Sequence, residues 1–185
     1  MLTEFQKQKL THYFNILDYN NNDVIQKDDF IAIAENLCIL WGLKPDTVEY
    51  DGWVEKFIDQ WREFKAQTNG PEENRAELEE WLDFADRKLV NGDDQYYEAY
   101  VEKMCEDIFD FFDEDGNGFI SLNEFVDFFM AFRIEIRYSA KSFMKLDTNR
   151  DDRLSKQELL SAIRVFFRSA DEKESGNWLF GFWED

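Results

Sequence analysis

The chain has 185 residues, 44 % of them hydrophobic and 17 % aromatic, enough apolar material to bury a core and to exclude intrinsic disorder. Its 41 acidic residues against 21 basic ones leave a formal charge of −20, which argues against nucleic acid or an anionic membrane as a direct partner. A cation is the natural counterpart, because bound metal relieves repulsion among so many carboxylates.

Helical spacing dominates from the start. Residues 4–17 place Phe5, Leu10, Tyr13, Phe14 and Leu17 on one face, behind Thr3 and Gln6 as a capping box. A second helix over 27–41 carries Phe30, Ile33, Leu37 and Leu40, and Gly42 stands where a terminating glycine belongs. Asp46 is the predicted N-cap of a helix running to about Gln67, with Trp53, Phe57, Trp61 and Phe64 apolar; Asn69-Gly70-Pro71 breaks it. A fourth helix over roughly 76–90 ends at Asn91-Gly92, the expected boundary between halves. Helices near 95–112, 122–133, 136–146 and 156–168 complete an all-α chain of eight. The predicted organisation is an N-terminal half over 1–91, a C-terminal half over 92–170, and an aromatic tail over 171–185 that folds back on the core. An exposed Asn177-Trp178-Leu179-Phe180-Gly181-Phe182-Trp183 would leave a large apolar patch.

Three breaks between helices share a 12-residue acidic loop. Asp113 to Glu124 fits D-x-[DN]-x-[DN]-G-x5-E in full, the EF-hand loop. Calcium takes roughly 6–8 oxygens at about 2.3–2.6 Å, and so short a loop must coil around the ion to supply them. Asp113, Asp115 and Asn117 point inward from positions 1, 3 and 5. Gly118 permits the turn at position 6, Phe119 offers its carbonyl at position 7, Ser121 can hold a water at position 9, and Glu124 closes the sphere at position 12. Asp147 to Glu158 repeats this with Asp147, Asn149, Asp151, the Arg153 carbonyl, Ser155 and Glu158. Asp152 replaces the position-6 glycine, at an expected strain of about 1 kcal/mol. Leu154 is the expected partner of Ile120 between these two loops.

Asp18 to Asp29 offers Asp18, Asn20, Asn22, the Val24 carbonyl and Asp29. Asp23 stands at position 6, and the short Asp29 replaces Glu at position 12. That should weaken calcium and favour magnesium, whose octahedral shell wants a single oxygen there. The helices of a further hand lie between 50 and 90, but its loop does not. With Glu80 at position 12, Asn69 falls at position 1, Pro71 at 3 and Arg75 at 7, so this hand is read as degenerate and metal-free. An isolated acidic loop is often a solvated turn; three in register between amphipathic helices predict three metal sites, with calcium as cofactor and magnesium as competitor.

No G-x-x-x-x-G-K-[ST], G-x-S-x-G or H-E-x-x-H occurs, and His12 stands alone, so no enzyme is predicted. Cys38 and Cys105 are isolated, which fits a reducing compartment, with core packing as the default role of Cys105. No basic and apolar leader begins the chain, residue 2 is Leu rather than Gly, and no apolar run reaches membrane-spanning length. The expectation is a monomeric cytoplasmic protein whose partners are metal ions.

A working first loop, a degenerate second with Glu80-Trp81 at its end, and intact third and fourth loops resemble the sarcoplasmic calcium-binding protein family over nearly the whole chain. Ser169-Ala170-Asp171 and Gly176-Asn177-Trp178-Leu179-Phe180-Gly181 add to the likeness. A calexcitin-like relative has a similar layout. The resemblance implies two EF-hand pairs pressed into one compact globule, calcium/magnesium exchange, and buffering. Sensors of the calmodulin type expose a Met-rich groove, and this chain has 4 Met. Photoproteins and luciferin-binding proteins share the length and the three-site pattern and hold an apolar ligand internally. Photoproteins place several His around it, whereas this chain has 1.

Overall fold

The computed structural model describes residues 1–68 and 74–182, so Asn69, Pro71 and Trp183 lie outside the described residues. Helix α1 (Glu4–Leu17) begins on the capping box: the Thr3 hydroxyl accepts from the Gln6 N–H at 3.2 Å, and the Gln6 side chain accepts from the Thr3 N–H at 3.0 Å. Strand β1 (Val24–Gln26) leads into α2 (Lys27–Leu40), and α3 (Val48–Thr68) follows. Asp46 does not cap α3. It adopts a left-handed backbone with φ of 64°, and Thr47 takes the capping role, accepting from the Tyr50 N–H at 3.3 Å.

Strand β2 (Arg75–Glu77) opens α4 (Leu78–Phe84), which widens into a π-helical stretch, Ala85–Val90. There the Asn91 N–H reaches back five residues to the Asp86 carbonyl at 2.9 Å. In the second half come α5 (Asp94–Phe112), β3 (Phe119–Ser121), α6 (Leu122–Ala131), a 3-10 turn (Ile136–Tyr138), α7 (Ser139–Leu146), β4 (Arg153–Ser155) and α8 (Lys156–Arg168). Among the described residues this gives eight α-helices, at nearly the limits that hydrophobic spacing implies.

The helices are organised by two ribbons. β1 pairs antiparallel with β2, setting Ile25 opposite Ala76, and β3 pairs with β4, setting Ile120 opposite Leu154. All four central residues are buried. The first ribbon also fixes the register of the degenerate hand. Its pairing of Val24 with Glu77 matches that of Phe119 with Ser155, so Ala76 stands in the anchor position and Glu80 in position 12.

One aromatic core runs through the whole. α1 packs on α4 and α8, and α2 packs on α3 and α6. Phe14, Trp81, Phe84, Phe112, Phe128 and Phe166 are at most 2 % exposed. After α8 the chain turns back through a 3-10 turn, Ser175–Trp178, and buries Leu179 and Phe180. The Phe180 ring lies 4.8 Å from both Tyr13 and Phe166, centroid to centroid, and 5.9 Å from Phe128. A Cβ at Gly176 would come within 2.5 Å of the Val165 Cβ, so glycine is needed for the turn to sit on α8.

Lys9 ties the two ends of the chain together. It is wholly buried, and its ammonium donates to the Val165 carbonyl at 3.1 Å, the Ser169 carbonyl at 2.7 Å and Asn177 Oδ1 at 3.0 Å. A cation at the C-terminus of α8 also opposes the negative end of the helix dipole. His12 Nε2 lies 2.8 Å from the Phe180 carbonyl oxygen. No described helix is long and apolar enough to cross a membrane.

Candidate metal centres

Each acidic loop starts where a helix stops. Asp18, Asp113 and Asp147 are the C-caps of α1, α5 and α7, with nearly superposable backbones (ψ of 75°, 78° and 84°). Their carboxylates gather the loop beneath them. Asp18 accepts from the N–H groups of Asn22 (3.1 Å) and Asp23 (2.8 Å), and Asp113 from those of Asn117 (3.0 Å) and Gly118 (2.9 Å). Asp147 accepts from Arg150, Asp151 and Asp152 at 2.7, 3.2 and 3.0 Å. The position-1 residue therefore shapes the loop as well as facing its centre.

The far end of each loop is the start of a helix. Ser121 and Ser155 are N-caps, accepting from the Glu124 and Glu158 N–H groups, both at 3.3 Å. In return Glu124 accepts from the Ser121 N–H at 2.7 Å and Glu158 from the Ser155 N–H at 3.0 Å. Asp29 accepts from the Gln26 N–H at 2.7 Å, and even the degenerate hand keeps this arm, Glu80 accepting from Glu77 at 3.0 Å. The second carboxylate oxygen bridges the loop. Glu124 reaches the Glu114 N–H at 2.9 Å and Glu158 the Thr148 N–H at 2.9 Å, both at position 2. The shorter Asp29 reaches instead the Asn20 N–H at 3.2 Å and the Asn20 amide NH2 at 2.8 Å.

All three loops turn left-handed at positions 4 and 6. The pairs are Asn21 and Asp23 (φ 57° and 66°), Gly116 and Gly118 (66° and 81°), and Arg150 and Asp152 (61° and 62°). Asp at position 6 thus adopts the backbone that glycine adopts in the third loop, at a steric cost of roughly 1–2 kcal/mol per non-glycine residue.

The carboxylates converge without a cationic side chain between them. One oxygen each from Asp113, Asp115 and Glu124 lies within 4.8 Å of the others, and the same holds for Asp147, Asp151 and Glu158. Asp18, Asp29, Glu124, Asp147 and Glu158 are at most 8 % exposed, yet among the described residues none of them pairs with Lys or Arg. Buried anions in that state call for a cation, and hard oxygens in this number suit calcium. Asp151 differs in pairing with the Arg153 guanidinium at 3.1 Å. That guanidinium lies 3.8 Å from the centre of the Phe119 ring, clamping the third loop to the fourth by their position-7 side chains.

Electrostatics separates the loops. Burial pushes the Glu158 carboxyl up, but hydrogen bonds from Ser155, Asn149 and Thr148 outweigh it and hold the group below its ordinary value. Burial also pushes Asp29 up; hydrogen bonds from Gln26 and Asn20 fail to compensate, and the nearby Asp18 charge adds to the rise. In the first loop the Asn20 and Asn22 amides point NH2 groups at Asp29 and at Gln26 (3.2 Å), so an ion would require those amides to turn.

In the degenerate hand, Glu80 has what the others lack. The Lys65 ammonium lies 3.9 Å from its carboxylate, and both side chains are largely buried. Sequence spacing does not reveal this contact, because Lys65 lies on α3, outside the loop.

Residues 104–133 match the EF-hand domain family. RAS guanyl-releasing protein 2-B of Xenopus laevis is 33 % identical over 100 residues, which are 54 % of this chain but only 15 % of that protein. Calerythrin of Saccharopolyspora erythraea is 19 % identical over 90 % of this chain and 94 % of its own, and solved structures extend the likeness. The calcium-loaded apo coelenterazine-binding protein of Renilla muelleri superposes with a TM-score of 0.76 at 20 % identity, covering 97 % of this chain and 99 % of that one. Okadaic acid binding protein 2.1 gives 0.71 at 16 % identity, covering 100 % and 99 %. The sarcoplasmic calcium-binding protein of amphioxus gives 0.70 at 19 % identity, covering 98 % and 99 %. Residues 104–133 thus carry an EF-hand domain, and the chain as a whole shares the fold seen in the sarcoplasmic calcium-binding protein of amphioxus.

Proposed function

We propose that the protein holds three divalent cations and serves in the cytosol as a calcium/magnesium buffer. The halves over 1–91 and 92–170 each form an EF-hand pair, and the described part of the tail over 171–185 covers their shared core with Phe180. The third site uses Asp113, Asp115, Asn117, the Phe119 carbonyl and Glu124; the fourth uses Asp147, Asn149, Asp151, the Arg153 carbonyl and Glu158. The first uses Asp18, Asn20, Asn22, the Val24 carbonyl and Asp29, and leans toward magnesium. The observation that carries this reading is the set of buried carboxylates, Asp18 and Asp147 at position 1 and Asp29, Glu124 and Glu158 at position 12, oriented by loop N–H groups and without a cationic partner. Bound calcium would supply the double positive charge these groups lack, while the chain's own part is to aim and desolvate the oxygens. A buffer also fits a rigid Phe and Trp core. Calorimetric titration of metal-stripped protein with calcium, with and without millimolar magnesium, tests it. Three sites are expected, one of them suppressed by magnesium; no binding would overturn the assignment.

A second reading, a calcium-responsive carrier of an apolar molecule, is favoured by one observation. A cavity of about 310 Å³ lies between α1, α2, α3 and α5, walled by Phe30, Phe57, Phe64, Phe111 and Phe112. That volume is at the lower end of small-molecule sites. The names of two structurally similar proteins, coelenterazine-binding and okadaic acid binding, add weight. Native mass spectrometry of protein purified from its source would show the extra mass of a bound molecule, and calcium should alter its retention. A buffer would show metal alone.

A further inference from the structure

The cavity is not uniformly apolar. Tyr13 enters it from α1, and Tyr100 and Asp107 enter from α5 two turns apart. Neither tyrosine hydroxyl forms a hydrogen bond with a described residue, although both side chains form aromatic contacts within the core. The two phenols and the carboxylate lie within electrostatic reach of one another, and burial pushes all three groups up from their ordinary values. The two hydroxyls therefore have donor and acceptor capacity to spare beside a carboxylate, and the trio forms a polar pole in a ring-lined space.

The surroundings narrow what could fill it. Asp107 accepts from the Lys103 ammonium at 3.2 Å, and Lys103 also lies 3.6 Å from Glu63 at the half-exposed rim. Two carboxylates and one ammonium leave the rim with a single net negative charge, which disfavours an anionic ligand. The Asp107 carboxylate accepts and does not donate, so the complementary group on a ligand is a donor. The tyrosine hydroxyls can donate to the same group's lone pairs. Around this pole the walls are rings, with Phe57 stacked on Phe111 at 4.9 Å and Phe30 beside Phe64 at 6.1 Å.

We propose that the cavity takes a neutral, largely aromatic molecule bearing a hydrogen-bond-donating hydroxyl or N–H group, seated against Asp107 and between the hydroxyls of Tyr13 and Tyr100. This rests on the carrier reading, and the test separates the two. Binding of 4-phenylphenol and of biphenyl, one skeleton with and without a hydroxyl, is measured by quenching of tryptophan fluorescence in the full chain. The phenol is expected to bind roughly tenfold more tightly, as one added hydrogen bond in a buried site would give. Tyr100→Phe, Tyr13→Phe and Asp107→Asn are each expected to shrink that ratio toward one while leaving biphenyl affinity within about twofold. If both compounds bind alike and the variants change nothing, the polar pole is overturned and the carrier reading stands. If neither binds, both fall.

Discussion

The first and fourth loops share a backbone and differ in their closing residue. Both have Asp at position 1 accepting from the loop's own N–H groups, and both force Asp into a left-handed turn at position 6. At position 12 they part. Glu158 accepts from N–H groups at positions 2 and 3 and is held charged by its donors, whereas the shorter Asp29 turns onto the Asn20 backbone and amide, and burial holds its carboxyl above its ordinary value. The shape of each loop is therefore set by position 1 and the backbone, and its hold on an ion is expected to follow the length and charge of position 12.

The sharpest way to break this contrast is to remove the reach. Glu158→Gln or Glu124→Gln should lower calcium affinity at its own loop by about a hundredfold or more, because an uncharged amide replaces a carboxylate aimed by two N–H groups. Calorimetry should then count one tight site fewer, with the first loop unchanged. The converse substitution, Asp29→Glu, should bring the first loop toward the fourth. Its calcium affinity is expected to rise roughly tenfold and magnesium competition to fall in the same titration. If magnesium competes as before, the length of residue 29 is not what separates the loops.

A smaller effect concerns the link between the halves. Lys9→Met leaves the Val165 and Ser169 carbonyls and Asn177 Oδ1 without their donor, and should cost about 1–3 kcal/mol in thermal or urea unfolding. Burial lowers Lys9 from its ordinary value to about 8. The unfolded chain then binds more protons than the native one between about pH 8 and 10.5, so stability should rise with pH across that window. In the Met variant this part of the rise should vanish. The smallest change is Asp152→Gly, which relieves a left-handed aspartate by up to about 1 kcal/mol, partly offset by the freer unfolded chain. A melting point more than a degree or two lower than that of the parent protein would mean that the Asp152 side chain contributes something beyond its backbone shape.

Much of this was legible because the loop motif and the helix-start signal are the same residues. Ser121 with Glu124 and Ser155 with Glu158 read both as positions 9 and 12 and as capping boxes, so metal spacing and helix limits support each other. The cap of α3 falls on Thr47 rather than Asp46 because the signal is shared by neighbours: both are capping residue types, and only the backbone decides between them. The buried Lys9 and the Lys65–Glu80 contact stayed hidden, since a lysine in a helix reads as surface until its tertiary partners are known. The cavity was invisible for a similar reason. Its rings come from four helices, and each reads only as core.

Helix α5 ends on Asp113 and carries Tyr100 and Asp107 along its length. At 1.5 Å per residue, Tyr100 lies about 20 Å from that end, so a tilt of about 5° at the loop would shift it by roughly 2 Å. The helix thus joins the third loop at one end to the cavity wall along its length. A displacement of that size exceeds the tolerance of a hydrogen bond. Under the carrier reading proposed above, a loop adjustment too small to change the fold would still alter the polar end of the cavity.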